Sequence, residues 1–262
     1  MALVELERDA ATGIATISFN RPEVLNALDV PTTRALHDAV LPLKGDSSVR
    51  CIILRGNGRA FVAGGDLTGF AADFDAAATV VDDMLDALHP VIEILAAHNA
   101  PVLASVHGAV AGAGLSLMAG CDLVIAAEGT RFMIAYDRIG AAPDCGGTYY
   151  LPRRLGLRRA AEFMLLGETW DAATAERHGL INRVVPAEAL AAETALLARR
   201  LASGPTLAYG RYKRLAASAH TLPLDEQLEL ERKAFKAGTS SHDFRAGVTA
   251  FLDKTKADYH GR

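Results

Sequence analysis

Two glycine-bearing turns carry the clearest capacity for chemistry in this sequence. The first, GNGRAFVAGGDL over 56–67, follows the apolar run CIIL at 51–54. The second, HGAVAGAGLSLMAGCD over 107–122, follows VLASV at 102–106. Glycine lets main chain approach a ligand closely or adopt positive φ. Each turn leads into a stretch predicted to be helical. The first amides of a helix have no partner within it and carry partial positive charge. Two such N–H groups converging on one oxygen would stabilise a developing oxyanion. The same composition also suits ordinary strand-to-helix turns, and the residues alone leave both readings open.

Other chemistry finds little support. The chain has no phosphate-binding P-loop signature and no HExxH helix. Gly112-Ala113-Gly114 follows a strand as a dinucleotide fingerprint would, but Leu117 stands where a third small residue is needed and Asp122 comes too early to reach a ribose. Ser116 lies in GLSLM, which is no nucleophile elbow and reads as a small residue inside a buried helix. The eight histidines show no ligand spacing, so no metal is expected.

Composition bounds the remainder. With 262 residues, 50% hydrophobic, 22% charged and a net charge of −4, the chain is long and apolar enough for one large α/β domain with a real core. It is not a disordered chain, and its charge is too mild for an electrostatic nucleic-acid binder. The three cysteines, Cys51, Cys121 and Cys145, lie far apart and suit a reducing compartment. No secretory signal is read at MALVELERDA, and a cytoplasmic protein is expected. The stretch Ile94–Cys121 lacks Asp, Glu, Lys and Arg, yet Pro101 and clustered glycines break a spanning helix. A buried strand, a turn and a buried helix are predicted there instead of a membrane segment.

The elements that hold these turns follow from periodicity. Leu3–Arg8 and Ile14–Phe19 read as a hairpin around DAATG, and Thr32–Leu41 reads as a helix. Cys51–Leu54, Val102–Val106 and Leu123–Ala127 read as buried strands. Val81, Met84, Leu85, Leu88, Ile92 and Leu95 form one helical stripe containing Pro90. Leu190, Leu197 and Leu201, with Thr194, share another helical face. Beyond about residue 200 only helices are predicted, bounded by Pro205, Pro223 and Ser240. Their apolar residues Leu215, Leu222, Leu224, Leu228 and Phe235 need a covering surface, in the same chain or in a second copy.

The motifs RPEVLNAL (21–28), GRAFVAGGDL (58–67), HGAVAGAGLSLMAGCD (107–122), IGAAPDCGGTYYLPRRLG (139–156) and AFLDKTKADY (250–259) occur in one order along the chain. In this order and spacing they resemble the enoyl-CoA hydratase/isomerase, or crotonase, family over almost the whole length. The resemblance implies an α/β spiral of β-β-α units over 1–199 and a helical C-terminal trimerisation region over 200–262. It further implies a homotrimer or dimer of trimers and an acyl-CoA thioester substrate, with coenzyme A as part of that substrate and no separate cofactor. The family's oxyanion donors fall on the N–H of Gly65, with Ala63 as its neighbouring alternative, and on the N–H of Ala113. Contacts to the CoA moiety are implied for Asn26, Ala27 and Leu28, for Ala63, Asp66 and Leu67, and for Phe251 and Lys254. Asp66 also reads as a helix N-cap, and Lys254 as a solvated surface charge.

Departures from the family pattern bear on the reaction. Typical hydratases carry two glutamates at positions that here hold Ser116 and Tyr136, and neither is a carboxylate. Hydration needs a water held and deprotonated while a proton reaches C2, so it should be severely weakened. The chain has instead Asp144, in Pro143-Asp144-Cys145-Gly146-Gly147, where common hydratases carry glycine. The pattern is similar to the isomerase branch that includes phenylacetate-degradation enoyl-CoA isomerases, which implies Asp144 as acid/base. Taken locally, Asp144 reads as an N-cap for a helix beginning near Gly146. The expected reaction is a double-bond shift of the 3-enoyl-CoA to 2-enoyl-CoA type. Hydration, thioester hydrolysis and dehalogenation are same-fold alternatives, and a non-catalytic acyl-CoA or RNA binder is the alternative of another class. No basic stripe with interleaved aromatics supports RNA. Residues 73–88 are expected to shape the acyl pocket, with Ser116, Tyr136, Tyr149 and Trp170 as further lining candidates.

Overall fold

The computed structural model describes residues 2–262. The chain opens with the expected hairpin, β1 (Val4–Asp9) against β2 (Ile14–Phe19), antiparallel in register Val4 with Phe19. The Asp9 carboxylate closes the turn by accepting the Ala11 amide at 2.9 Å and the Thr12 hydroxyl at 2.7 Å. Seven further strands follow among the described residues. They are β3 (Cys51–Gly56), β4 (Val102–Val106), β5 (Ala109–Ala111), β6 (Leu123–Ala127), β7 (Arg131–Met133), β8 (Thr169–Asp171) and β9 (Arg183–Val185).

Six strands make one sheet in the order β1-β2-β3-β4-β6-β9, parallel from β2 onward. The apolar runs at 51–54, 102–106 and 123–127 are its centre, as predicted. Both faces of that centre are covered, which is why these strands are continuously apolar rather than alternating. Ile52 and Leu54 point into the main core, while Cys51 and Ile53 point to the opposite face, where Ala198 and Ala202 pack. A second, three-stranded sheet, β5-β7-β8, lies further along the same winding.

The first helices are α1 (Val30–Val40), α2 (Leu67–Ala72), α3 (Ala77–Ala97) and α4 (Ala113–Ala119). Helix α1 begins two residues before the expected Thr32 because Asp29 caps it, accepting from the Thr32 amide at 2.8 Å. Of the stripe predicted for α3, Met84, Leu88 and Leu95 lie in the core, Leu85 and Ile92 are partly buried and Val81 is exposed, while Val91 and Ile94 join the buried side and Pro90 lies inside the helix. The charge-free stretch 94–121 becomes the end of α3, strands β4 and β5, and α4, in which all seven residues are buried. Among the described residues no helix is long and apolar enough to cross a membrane.

Next come α5 (Gly147–Leu155), α6 (Leu157–Leu166) and α7 (Ala172–Arg177), followed by α8 (Leu190–Ala202), α9 (Thr206–Ser218), α10 (Leu224–Gly238) and α11 (His242–Asp253). The division expected between 199 and 200 falls inside α8, which packs on the sheet; the last strand, β9, ends at Val185, and the helices beyond α8 follow its C-cap Ser203. Leu224, Leu228 and Phe235 are exposed on α10. The end of the chain is pinned: buried Asp243 accepts the His260 and Gly261 amides at 2.7 and 2.9 Å, and Arg50 donates to Gly204 O and Tyr259 O at 2.7 and 3.1 Å.

Candidate active site

The two glycine turns are laced to each other and to the 21–28 motif by main chain. The Leu28 amide donates to Gly64 O at 2.8 Å and the Asp66 amide to Leu28 O at 2.7 Å, a parallel bridge that leaves the Gly65 N–H between them unengaged. Ala63 is different, because its amide already donates to Leu25 O at 3.1 Å. Of the two expected donors in AGGD, only Gly65 therefore has a hydrogen to offer. Ala111 N donates to Val62 O at 3.0 Å, which ties the first turn to the second.

Gly112 (φ 50) ends that second turn, and Ala113 opens α4 with its N–H beyond the reach of any carbonyl within the helix. A Cβ on Gly114 would stand 2.4 Å from Val62 O, so this close approach of helix to turn requires glycine. Gly65 and Ala113, from separate turns, line one cavity of about 410 Å³. Its walls are otherwise apolar. Leu67 and Phe70 come from α2, and Val81, Met84, Leu85 and Leu88 from α3, all within or beside the expected 73–88 segment. Both residues thus bring an amide without a main-chain partner to the lining of one cavity.

Asp144 lines the same cavity. It does not cap α5 with its side chain, contrary to the local reading. The N-cap is Gly146, and only the Asp144 main-chain carbonyl serves the helix, accepting Gly147 N at 2.9 Å. The reason is the backbone: Cys145 (φ 50) and Gly146 (φ 80) are both left-handed, which turns the Asp144 side chain away from the helix start. Its carboxylate accepts the hydroxyl hydrogen of Tyr136 at Oδ1. Tyr136 follows β7 and left-handed Ala135 (φ 63), and it lines the cavity as expected. Ser116 Oγ lies 3.5 Å from the Tyr136 hydroxyl, behind it in α4, so Ser116 supports the wall without lining it.

The charges here are few. Burial pushes the Tyr136 phenol far up, with the Asp144 charge adding to it, so the phenol keeps its hydrogen and remains a donor. Burial, then Asp144, likewise raises the Cys145 thiol. Asp66 is held below the ordinary carboxylate value, chiefly by the Thr68 hydroxyl, and it caps α2 while pairing with Arg21 at 3.3 Å. Its N-cap reading is the one the geometry gives.

The remaining expected contacts divide. Asn26 is buried and spends both amide hydrogens on Asn57 O and Ala60 O, at 2.9 and 2.8 Å, so its side chain holds the turn together. Ala27 O accepts from Arg21 at 2.7 Å, and Leu28 is fully buried. Phe251 and Lys254 are exposed and do not line the cavity in this chain. Tyr149 and Trp170 are not lining residues either. Tyr149 is exposed under the Arg153 guanidinium, and Trp170 stacks on Phe163 at 4.0 Å in the core. Among the described residues no group of three His, Cys, Asp or Glu could hold a metal ion.

A family model described as enoyl-CoA hydratase/isomerase matches residues 9–262. The 1,2-epoxyphenylacetyl-CoA isomerase of Escherichia coli (strain K12) is 39% identical over 251 residues, covering 95% of this chain and 96% of that protein. A Rhodobacter capsulatus protein named "Probable enoyl-CoA hydratase" is 38% identical over 262 residues, 100% of both chains. The crystal structure of an enoyl-CoA hydratase from Polaromonas sp. JS666 superposes with a TM-score of 0.91 at 30% identity, covering 98% of this chain and 99% of that one. These likenesses run through both glycine turns and both sheets, and the chain belongs to the enoyl-CoA hydratase/isomerase family, an enzyme built on the crotonase fold.

Proposed function

We propose that this enzyme shifts a double bond in an acyl-CoA thioester, from the 3-enoyl to the 2-enoyl position, with Asp144 as proton shuttle. The observation that carries the reading is a lone carboxylate on an otherwise apolar cavity that also presents the free amides of Gly65 and Ala113. Asp144 removes a proton from C2 and the electrons pass into a dienolate. The thioester oxygen takes the charge, held by the two amides at roughly 3 kcal/mol per donor. The same carboxyl group, now protonated, delivers its hydrogen to C4, leaving the double bond between C2 and C3.

Hydration would need a second acid/base to activate water. Ser116 and Tyr136 occupy the positions that resemble the hydratase glutamates, and Tyr136 is bonded to Asp144. The E. coli relative, itself named an isomerase, supports the same reading. The apolar walls suit an acyl chain, coenzyme A enters as part of the substrate, and no further cofactor is invoked. The exposed apolar residues of α10 support a trimer, or a dimer of trimers, formed through the helical region from about residue 200, with Phe251 and Lys254 reaching CoA in that assembly. Incubating the enzyme with a 3-enoyl-CoA and a 2-enoyl-CoA side by side tests the reaction. Conversion of the first to the second supports isomerisation, whereas formation of a 3-hydroxyacyl-CoA at comparable rate makes the enzyme a hydratase.

A further inference from the structure

The mechanism just given leaves Tyr136 without a role, although Tyr136 and Asp144 are the only ionisable side chains lining the cavity among the described residues. We propose that Tyr136 is the positioning residue for Asp144, its hydroxyl holding Oδ1 so that Oδ2 alone exchanges a proton with substrate. The proposal rests on Asp144 being the base.

Three observations carry it. Asp144 sits in an irregular segment between a single 3-10 turn at Asp137–Ile139 and α5, so no helix or strand hydrogen bond orients its side chain. Among the described residues, the Tyr136 hydroxyl donates to Oδ1 of the carboxylate, and the buried Cys145 thiol is the other side-chain donor beside it. Tyr136 itself is anchored, with 8% of its surface exposed, a place three residues beyond the end of β7, and Ser116 behind its hydroxyl.

The surroundings of Asp144 add little other charge. Helix α4 faces the region with Ser116, its own turn with the buried neutral Cys145 thiol, α3 with Met84, Leu85 and Leu88, and the 3-10 turn with Ile139. Asp144 makes no ion pair among the described residues. A donor on one oxygen fixes the plane of the carboxylate.

The test is the kcat and KM of isomerisation by the purified enzyme, with thermal unfolding checking that each variant folds. For Tyr136→Phe we expect kcat to fall about tenfold with KM within about twofold of the parent, the signature of lost alignment rather than lost binding. Tyr136→4-aminophenylalanine, a weaker donor of nearly the same shape, should lower kcat less than the Phe variant does with KM again unchanged, and it decides the matter if the Phe variant does not fold. An unchanged kcat in the folded variants, or a loss carried by KM instead of kcat, overturns the proposal. Turnover surviving in Asp144→Asn defeats the underlying assignment of the base instead, so the two failures are separable.

Discussion

The amide of Ala111 donates to the carbonyl of Val62 at 3.0 Å, and this bond brings Gly114, three residues on, against the same carbonyl. The pocket thus depends on two turns, some fifty residues apart in sequence, that touch through bare main chain. A Cβ at Gly114 would meet Val62 O at 2.4 Å and Val62 Cβ at 2.6 Å. Gly114→Ala should therefore cost about 1–3 kcal/mol of stability through overpacking. Gly69→Ala, in α2 with nothing within 4 Å, should be neutral or gain up to about 1 kcal/mol of helix propensity. Urea unfolding of both variants checks this, and equal midpoints would contradict it.

Asp144→Asn keeps the size of the side chain and a hydrogen-bond acceptor for Tyr136 but removes the proposed base. Isomerase turnover should drop by about 10²–10⁴-fold, the usual contribution of acid–base catalysis. Binding of a saturated acyl-CoA, followed by titration calorimetry, should remain within a few-fold of the parent. Loss of both together would point to a collapsed cavity instead of a missing base.

The thiols offer a check on burial. Cys51 and Cys121 are pushed up to about 12 by burial, and Cys145 is raised by burial and Asp144. Thiolate is the reactive form, so all three should resist a disulfide reagent at pH 8 in the folded protein. All three free cysteines should react once the chain is unfolded. Rapid labelling of a native thiol would show that its neighbourhood opens.

Asp46 governs part of the acid response. Its carboxyl is lowered to about 2, chiefly by the Ser48 hydroxyl and amide and then by Arg8, against an unfolded value of 3.8. A group depressed on folding contributes stability that is fully present above its unfolded value and fades as pH falls through the folded one. The contribution should thus be complete above about pH 4 and lost toward pH 2. Because the site is near the surface, the effect is small. Asp46→Asn should flatten the stability–pH curve in that window alone, measured by chemical denaturation at a series of acidic pH values.

Much of this architecture is legible in the residues, and the limits are physical. The apolar runs at 51–54, 102–106 and 123–127 announce themselves because a strand covered on both faces has no polar side to show. Strands β5, β7 and β8 do not, since three residues are too few to display any period. The glycine turns and Asp144 emerge from motif order. Ala63 is excluded as a donor only by its bond to Leu25, a partner 38 positions away that no local pattern encodes. Asp144 departs from its local cap reading because Cys145 adopts a left-handed backbone uncommon outside glycine and asparagine. Trp170 and Tyr149 have the right chemistry for a pocket wall, and tertiary packing sends one to the core and the other to solvent.

The pocket's scarcity of ionisable walls has an isotopic consequence. A hydrogen lifted by Asp144 finds neither a charged relay nor an exchangeable side-chain neighbour besides the phenol and the thiol already beside it. Tritium placed at C2 of the substrate should accordingly divide between C4 and the medium, and the share reaching C4 measures how well a bound acyl chain seals this half-exposed carboxylate from water.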